Sequence, residues 1–264
     1  MDKTLTFRGE APMRVNKWLA QEGVCSRREA EGLIEAGQIE IDGAAVSEPG
    51  HKIAPGQTLT LSPRAGAALS RKISIVLNKP IGIVSGTPEG DQVPAVRLLT
   101  RRALHGRSAI VPGRRHKLAP LGRLDQDSRG LLILSEDGVL AKALVGPSSE
   151  LAKSYIVRVR GEVSEAALGR LRHGLSLDGR RLKRARVERL GAQTLSFVLR
   201  EGRNRQIRRM CDLVGVRVID LKREQIGPVE LGALPEGKWR PLSSPERSAL
   251  ISAAAKNPSG TRRG

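Results

Sequence analysis

Apolar residues follow a helical spacing from Met13 onward: Val15, Trp18 and Leu19 recur three and four positions apart, and Gly23 closes a short helix. Ser26-Arg27-Arg28-Glu29 then reads as a capping box, with Ser26 as N-cap and Glu29 at the third helical position. Ala30, Leu33 and Ile34 supply the buried stripe of this second helix, and Gly37 ends it. The period then shortens to two. Ile39 and Ile41 alternate with polar neighbours, Asp42-Gly43 supplies a hairpin turn, and short strands are expected near Val46 and at 59–61. The result is a small ααββ module over 13–62. Residues 1–12 carry no clear period and are expected to form a flexible arm. Residues 63–71, rich in Ala, Gly, Pro and Ser, are expected to be a linker.

A larger domain is expected over 72–245. Strands are predicted at 73–77 and 81–84 around Asn78-Lys79-Pro80, and 86–120 reads as a long basic loop around one short helix at 96–104. The apolar run 131–134 has the character of a buried strand, and Asp137-Gly138 turns it into a helix reaching Val145. Residues 153–160 alternate, with Tyr155, Val157 and Val159 on one face. A capped helix over 164–173, strands at 186–190 and 194–199, a basic helix and a strand at 216–219 follow. Strands and helices do not alternate strictly. The pattern therefore favours an α+β domain on a mixed, mainly antiparallel sheet over a doubly wound one. Residues 246–264 are expected to be a C-terminal tail, partly disordered and loose after Ala255.

Charge narrows the partner class. The 264-residue chain has a formal net charge of +19, which attracts polyanions, and only 2% aromatic residues, too few for a reader built on many stacked bases. Phosphate contacts should then dominate affinity. No stretch of about 18 apolar residues occurs, and the N-terminus lacks a signal-peptide core, so neither membrane insertion nor secretion is expected. Cys25 and Cys211 are too isolated for a disulfide framework, which suits a reducing cytoplasm.

Two basic clusters stand out. Arg27 and Arg28 lie in a helix's first turn, where the macrodipole disfavours each by roughly 0.3 to 1 kcal/mol. A solvated face would tolerate them, but with Arg14, Asn16 and Lys17 they can form a phosphate-binding surface around two helix starts. The second cluster is Arg203-Asn204-Arg205-Gln206-Ile207-Arg208-Arg209. Ile207, Met210, Cys211 and Val214 fall on one helix face and Arg205, Arg208 and Arg209 on the other, with Asn204 as the expected cap. Four arginines within seven residues exceed what solubility requires.

Gly122-Arg123-Leu124-Asp125 introduces an acid into this basic setting. In extended backbone Arg123 and Asp125 point one way and Leu124 the other, which puts a guanidinium beside the carboxylate. The neighbouring cation favours the charged form, suited to a nucleophile rather than a general acid. Asp125 to Glu136 nearly fits a calcium loop, yet Arg129 stands where an oxygen ligand belongs. Asp125 and Asp127 have the makings of a glycosidase-like pair, and spacing alone leaves that open. His51, His105, His116 and His173 are scattered singly, and no metal-binding or Walker motif occurs.

Three segments in order carry a resemblance: Gly122-Arg123-Leu124-Asp125 with Ser128-Arg129-Gly130-Leu131-Leu132, then Lys153-Ser154-Tyr155-Ile156-Val157, then Asn204-Arg205-Gln206-Ile207-Arg208-Arg209-Met210. Together they resemble the signature motifs of RsuA-type ribosomal RNA pseudouridine synthases, and Asn78-Lys79-Pro80 is similar to the family's opening strand. Residues 13–61 resemble the S4-like RNA-binding module that precedes the catalytic domain there. Gly237-Lys238-Trp239-Arg240 is closest to the branch acting on large-subunit ribosomal RNA.

The resemblance implies isomerisation of a uridine in ribosomal RNA, free or within an assembling subunit, by a cytoplasmic monomer needing no metal or organic cofactor. By the same resemblance Asp125 is the nucleophile, Arg208 its paired cation, Tyr155 the residue against the uracil, and Arg123 the occupant of the flipped nucleotide's space. Arg14, Asn16, Lys17, Arg27, Arg28, Lys79, Arg203, Asn204, Arg205 and Arg209 are the expected RNA-binding residues. Spacing favours Arg123 as the partner of Asp125, whereas the resemblance favours Arg208; Asp127 is left as a turn residue. Rival readings are a non-catalytic RNA-binding or ribosome-assembly factor, a nucleosidase, and a synthase acting on small-subunit ribosomal RNA or tRNA.

Overall fold

The computed structural model describes residues 3–113, 115–146 and 149–256. The chain divides into two compact units, 1–73 with 135–142, and 74–134 with 143–264.

The first unit contains β1 (Lys3–Thr6), α1 (Val15–Gln21), α2 (Arg27–Glu35), β2 (Ile39–Ile41), β3 (Ala44–Ala45), β4 (Thr58–Leu61) and α3 (Pro63–Ser70). The expected capping box is present, with Ser26 Oγ accepting from Glu29 N and Glu29 accepting from Ser26 N. Asp42 and Gly43 both take positive φ, 49° and 80°, as a two-residue hairpin turn requires. The antiparallel sheet runs β1-β4-β2-β3, and Trp18, Leu19, Ile34, Ile39 and Leu59 form the core beneath it.

Two boundary expectations are corrected here. The arm is not free: β1 pairs with β4 in the register Leu5↔Leu59, and Phe7 is buried edge-on against Trp18, centroids 5.3 Å apart. Two inward positions, Leu5 and Phe7, are too few to register as a period; only the edge of β4 makes this segment a strand. The linker is a helix. Ser62 Oγ caps Ala65 N at 3.1 Å, Pro63 occupies the first helical turn, and Ala65 is buried. Its small side chains left no apolar stripe to read.

The second unit is built on a nine-stranded sheet. Its principal elements are β5 (Ser74–Lys79), β6 (Arg129–Ser135), β7 (Lys153–Arg160), α5 (Glu165–Arg172), β8 (Arg186–Gly191), β9 (Thr194–Leu199), α6 (Gln206–Leu213), β10 (Arg217–Ile226), β11 (Trp239–Pro241) and α7 (Ser244–Ala255), while α4 (Gly138–Val145) begins in the first unit and ends in the second. The main path is β8-β9-β7-β10-β6-β5-β11. β7 pairs antiparallel with both β9 and β10, while β10 pairs parallel with β6, which gives the mixed, mainly antiparallel α+β domain expected. Val157, Val159, Leu168, Phe197, Ile207 and Met210 pack α5 and α6 onto this sheet.

The long basic loop holds two short 3-10 turns, Ala95–Leu98 and Arg101–Ala103, in place of one helix, because Leu99 leaves helical backbone (ψ 63°) and Thr100 starts a new cap. The loop is tied to β11: Trp239 Nε1 donates to Thr100 O at 2.7 Å and Lys238 Nζ to Arg102 O at 3.0 Å. The expected tail is corrected over its first part. Ser243 and Glu246 form a capping box for α7, whose Leu250 is fully buried. Residues 257–264, where disorder was also expected, lie outside the described residues.

Candidate active site

The 122–128 turn presents its acids from a tightly held backbone. Leu124 is buried, and the Ser85 hydroxyl bonds both its carbonyl (2.7 Å) and its N–H (2.9 Å). Gly82 N donates to Gln126 O at 2.8 Å, and Ser128 N closes the turn onto Asp125 O at 3.0 Å. With Leu124 anchored inward, Arg123 and Asp125 face outward, as alternation requires even though this stretch is loop and not strand. Arg129, in the position that spoils a calcium loop, instead grips Asp220 on β10 through Nε and Nη2 at 2.9 and 2.8 Å.

Asp125 opens into a cavity of about 670 Å³ lined by Arg123, Lys153, Tyr155, Asn204, Arg205, Arg208, Leu221 and Arg223 among others. β7 supplies Lys153 and Tyr155, β10 supplies Leu221 and Arg223, the 122–128 turn supplies Arg123, and α6 with the residues before it supplies Asn204, Arg205 and Arg208. Tyr155 is part-buried against the hydrophobic core and also lines the cavity, which gives that space an apolar wall. Arg123 is exposed and forms no ion pair among the described residues. All four expected catalytic side chains, Asp125, Tyr155, Arg208 and Arg123, thus line one space.

The pairing of charges differs from both expectations. Arg205, not Arg123 or Arg208, is the arginine near Asp125, with Nη1 3.8 Å from Oδ2. Arg205 also grips Asp127 with both terminal nitrogens, at 3.1 and 2.9 Å. Arg208 faces Asp127: Nε lies 3.2 Å from Oδ2, and Nη2 donates to Asp127 O at 2.7 Å. The Nε contact is an ion pair by distance but lacks hydrogen-bond alignment. Burial works against the Asp127 charge, yet the Arg205 hydrogen bonds and the field of Arg208 outweigh it and hold the carboxyl below its ordinary range. Asp127 is therefore the anchor of both cations, a role that spacing alone did not reveal. Arg205 reaches it from left-handed backbone (φ 48°) as the residue before α6, taking the cap position expected of Asn204.

The expected RNA-binding residues separate into exposed and committed groups. Arg14, Lys17, Arg27 and Arg28 are exposed and form no ion pairs among the described residues, whereas Asn16 is buried and donates to Glu31 at 2.7 Å. Asn204 is exposed at the cavity. Arg203 is a structural tie, donating to the carbonyls of Leu177, Arg180 and Arg181 at 2.9 to 3.2 Å. Arg209 pairs with Asp178 at 2.6 Å. Lys79, expected on an RNA-facing surface, is fully buried, with Nζ donating to Pro80 O at 2.9 Å and Ile83 O at 2.7 Å. Burial pulls its pKa down from 10.5 to about 8 against the upward pull of Asp125 and Asp127.

Among the cavity residues that the sequence did not assign to the site are Lys153, quoted only as part of a motif, and Arg223. The available signal was periodicity: along β10, Leu221 and Arg223 both occupy inward positions, and an arginine at an apolar position needs a reason. Among the described residues no group of three or more His, Cys, Asp or Glu is placed to hold a metal ion.

Residues 73–213 match the family of RNA pseudouridylate synthases, and residues 13–59 match the S4 domain. The chain belongs to the RNA pseudouridylate synthase family. It is 32% identical over 242 residues to the dual-specificity RNA pseudouridine synthase RluF of Escherichia coli, spanning 90% of this chain and 78% of that protein. An uncharacterized RNA pseudouridine synthase of Mycobacterium bovis is 36% identical over 246 residues, 91% of this chain and 94% of the relative. A crystal structure of a pseudouridylate synthase superposes with a TM-score of 0.61 at 26% identity, over 90% of this chain and 99% of that one. This synthase is accordingly an isomerase with an S4 RNA-binding domain, and no helix among its described residues is long and apolar enough to cross a membrane.

Proposed function

We propose that this synthase converts one specific uridine of ribosomal RNA, of the large subunit, to pseudouridine, acting as a cytoplasmic monomer with Asp125 as its nucleophile. The observation that carries the reading is the placement of Asp125. It is an acid on a rigid turn, open to a cavity walled by Tyr155 and flanked by Arg205, in a chain of net charge +19. The glycosidic bond is shielded while the base is stacked, so the uridine must be flipped out, at a cost of a few kcal/mol met by phosphate contacts and pocket stacking. Arg123, exposed and without an ion pair among the described residues, fills the vacated space in this reading.

In the reaction an Asp125 oxygen bonds to the ribose C1′ as the N1–C1′ bond breaks, its electron pair leaving on the uracil. The detached base turns within the cavity and C5 attacks C1′, expelling the carboxylate. N1 gains a proton and C5 loses one, a transfer in which Tyr155, a lining residue of the cavity, takes part. No electrons are exchanged, and the chemistry calls for no metal or organic cofactor. Arg205 and Arg208, held by Asp127, keep a positive field beside Asp125 in both its free and ester forms.

The test is a pseudouridine map of ribosomal RNA from a deletion strain complemented with wild type or Asp125→Asn, with tritium release from 5-labelled uracil measured in vitro. One site should be restored by wild type only. An unchanged map, or free uracil in the reaction, overturns the proposal, and the second result points to a nucleosidase.

A further inference from the structure

The guanidinium of Arg223 is the least explained group in the cavity. Arg223 is 2% exposed, yet one of its terminal nitrogens, Nη2, has no hydrogen-bond partner. The other two are committed. Nε donates to Leu131 O at 2.8 Å and Nη1 to Arg123 O at 3.2 Å, so the side chain ties together the two arms of the turn that carries Asp125. Its own backbone is equally constrained, being paired with Gly130 on one side and Tyr155 on the other. A Cβ at Gly130 would lie 2.3 Å from Arg223 O, so no other residue fits there. The guanidinium is thus fixed in place before any ligand arrives, and Arg223 is one of the residues lining the cavity. Its charge reaches across that space: burial first, and then Arg223, lower the pKa of Lys153 on the neighbouring strand.

A buried donor left without a partner costs about 1 to 3 kcal/mol, more when charged, and is retained where a ligand completes it. A phosphate stays on the outer strand of the RNA and does not reach a nitrogen so enclosed. A flipped base is the part of the RNA that would enter the cavity Arg223 lines. We propose that Arg223 binds the uracil, its Nη2–H donating to a carbonyl oxygen of the base; this rests on the uridine isomerisation proposed above. When the N1–C1′ pair departs with the uracil, the negative charge spreads onto the two carbonyl oxygens. A preorganised guanidinium at one of them strengthens its hydrogen bond as the bond breaks, which lowers the barrier to detachment and retains the free base while it turns. Arg223 therefore links two tasks, holding the Asp125 turn and gripping the leaving group.

The experiment uses the full-length chain and an RNA fragment containing the mapped target, made with uridine, 2-thiouridine or 4-thiouridine at that position. Sulfur accepts hydrogen bonds poorly, so in wild type one of the two thio substrates should react roughly 10- to 100-fold more slowly than uridine under single turnover. Arg223→Met should lose a similar factor on uridine and show a penalty of under about 3-fold for that thio substrate, the sign of two groups acting through one bond. A purely structural arginine would slow all three substrates equally, and identical thio penalties in both proteins overturn the inference. If Arg223→Met does not fold, Arg223→Lys takes its place in the same comparison. Absence of any thio penalty in wild type refutes the inference without a variant. Wild type that makes no pseudouridine in any RNA refutes the proposed reaction itself, which distinguishes the two failures.

Discussion

Lys79 offers a test in which structure fixes both sign and size. Its ammonium is fully buried on two backbone carbonyls, and its pKa falls from 10.5 in the unfolded chain to about 8 in the fold. Below pH 8 both states are protonated and the folded state carries the cost of a buried charge. Between pH 8 and 10.5 the unfolded chain binds more protons, so stability rises with pH and levels off once both states are neutral. Between pH 7 and pH 10 the shift amounts to a gain of about 2.5 kcal/mol from this group, at about 1.4 kcal/mol per unit. Buried Cys25 and Cys211, pushed up to about 11 and about 12, act in the opposite direction above pH 9. The measurement is therefore a difference: urea unfolding of wild type and Lys79→Met at pH 7, 8, 9 and 10. Methionine keeps the volume and leaves the Pro80 and Ile83 carbonyls unpaired, a penalty that does not vary with pH. Wild type should gain on the variant by about 2 to 3 kcal/mol across the range. Parallel curves would show that Lys79 keeps an ordinary pKa and refute the reasoning.

Gly130→Ala should destabilise the fold by about 3 kcal/mol or more in urea unfolding, because φ is +107° and the new Cβ meets the Arg223 backbone. Asp127→Asn should cost under about 1 kcal/mol of stability, since the carboxylate is 46% exposed. It should nevertheless lower kcat about 10-fold with little change in KM, because Arg205 and Arg208 lose their anchor; an unchanged kcat would reduce Asp127 to a turn residue. The pair Arg27→Glu and Arg28→Glu should stabilise α2 by a few tenths of a kcal/mol while weakening RNA binding. Its log K against log salt should be shallower by about 1.4 to 1.8; an unaltered slope would mean that neither arginine touches phosphate.

The helices and strands that bury a stripe were legible because each is long enough to repeat its period: α2 with its capping box, β6 with its apolar run, β7 with its alternation. Elements without a stripe were missed. α3 is made of small residues, and β1 is a strand only because β4 offers an edge. α7 carries a Ser-x-x-Glu cap in plain view, but its apolar face is little more than Leu250.

By itself the sequence determined which residues are candidates for the chemistry, since an aspartate two positions after an arginine, a lone tyrosine on an alternating strand and a run of arginines are local facts. It also determined that the partner is a polyanion, because net charge needs no coordinates. Only the tertiary structure decided who holds whom. Arg205 and Arg208 lie 78 and 81 residues from Asp127 in sequence, and their pairing with it depends on how the start of α6 meets the acidic turn. Lys79 and Arg223 look like surface cations in the sequence and become buried ones because β5 and β10 lie inside the sheet. The physical reason is that charge is a property of the side chain, whereas desolvation and partnership belong to the neighbours that folding brings to it.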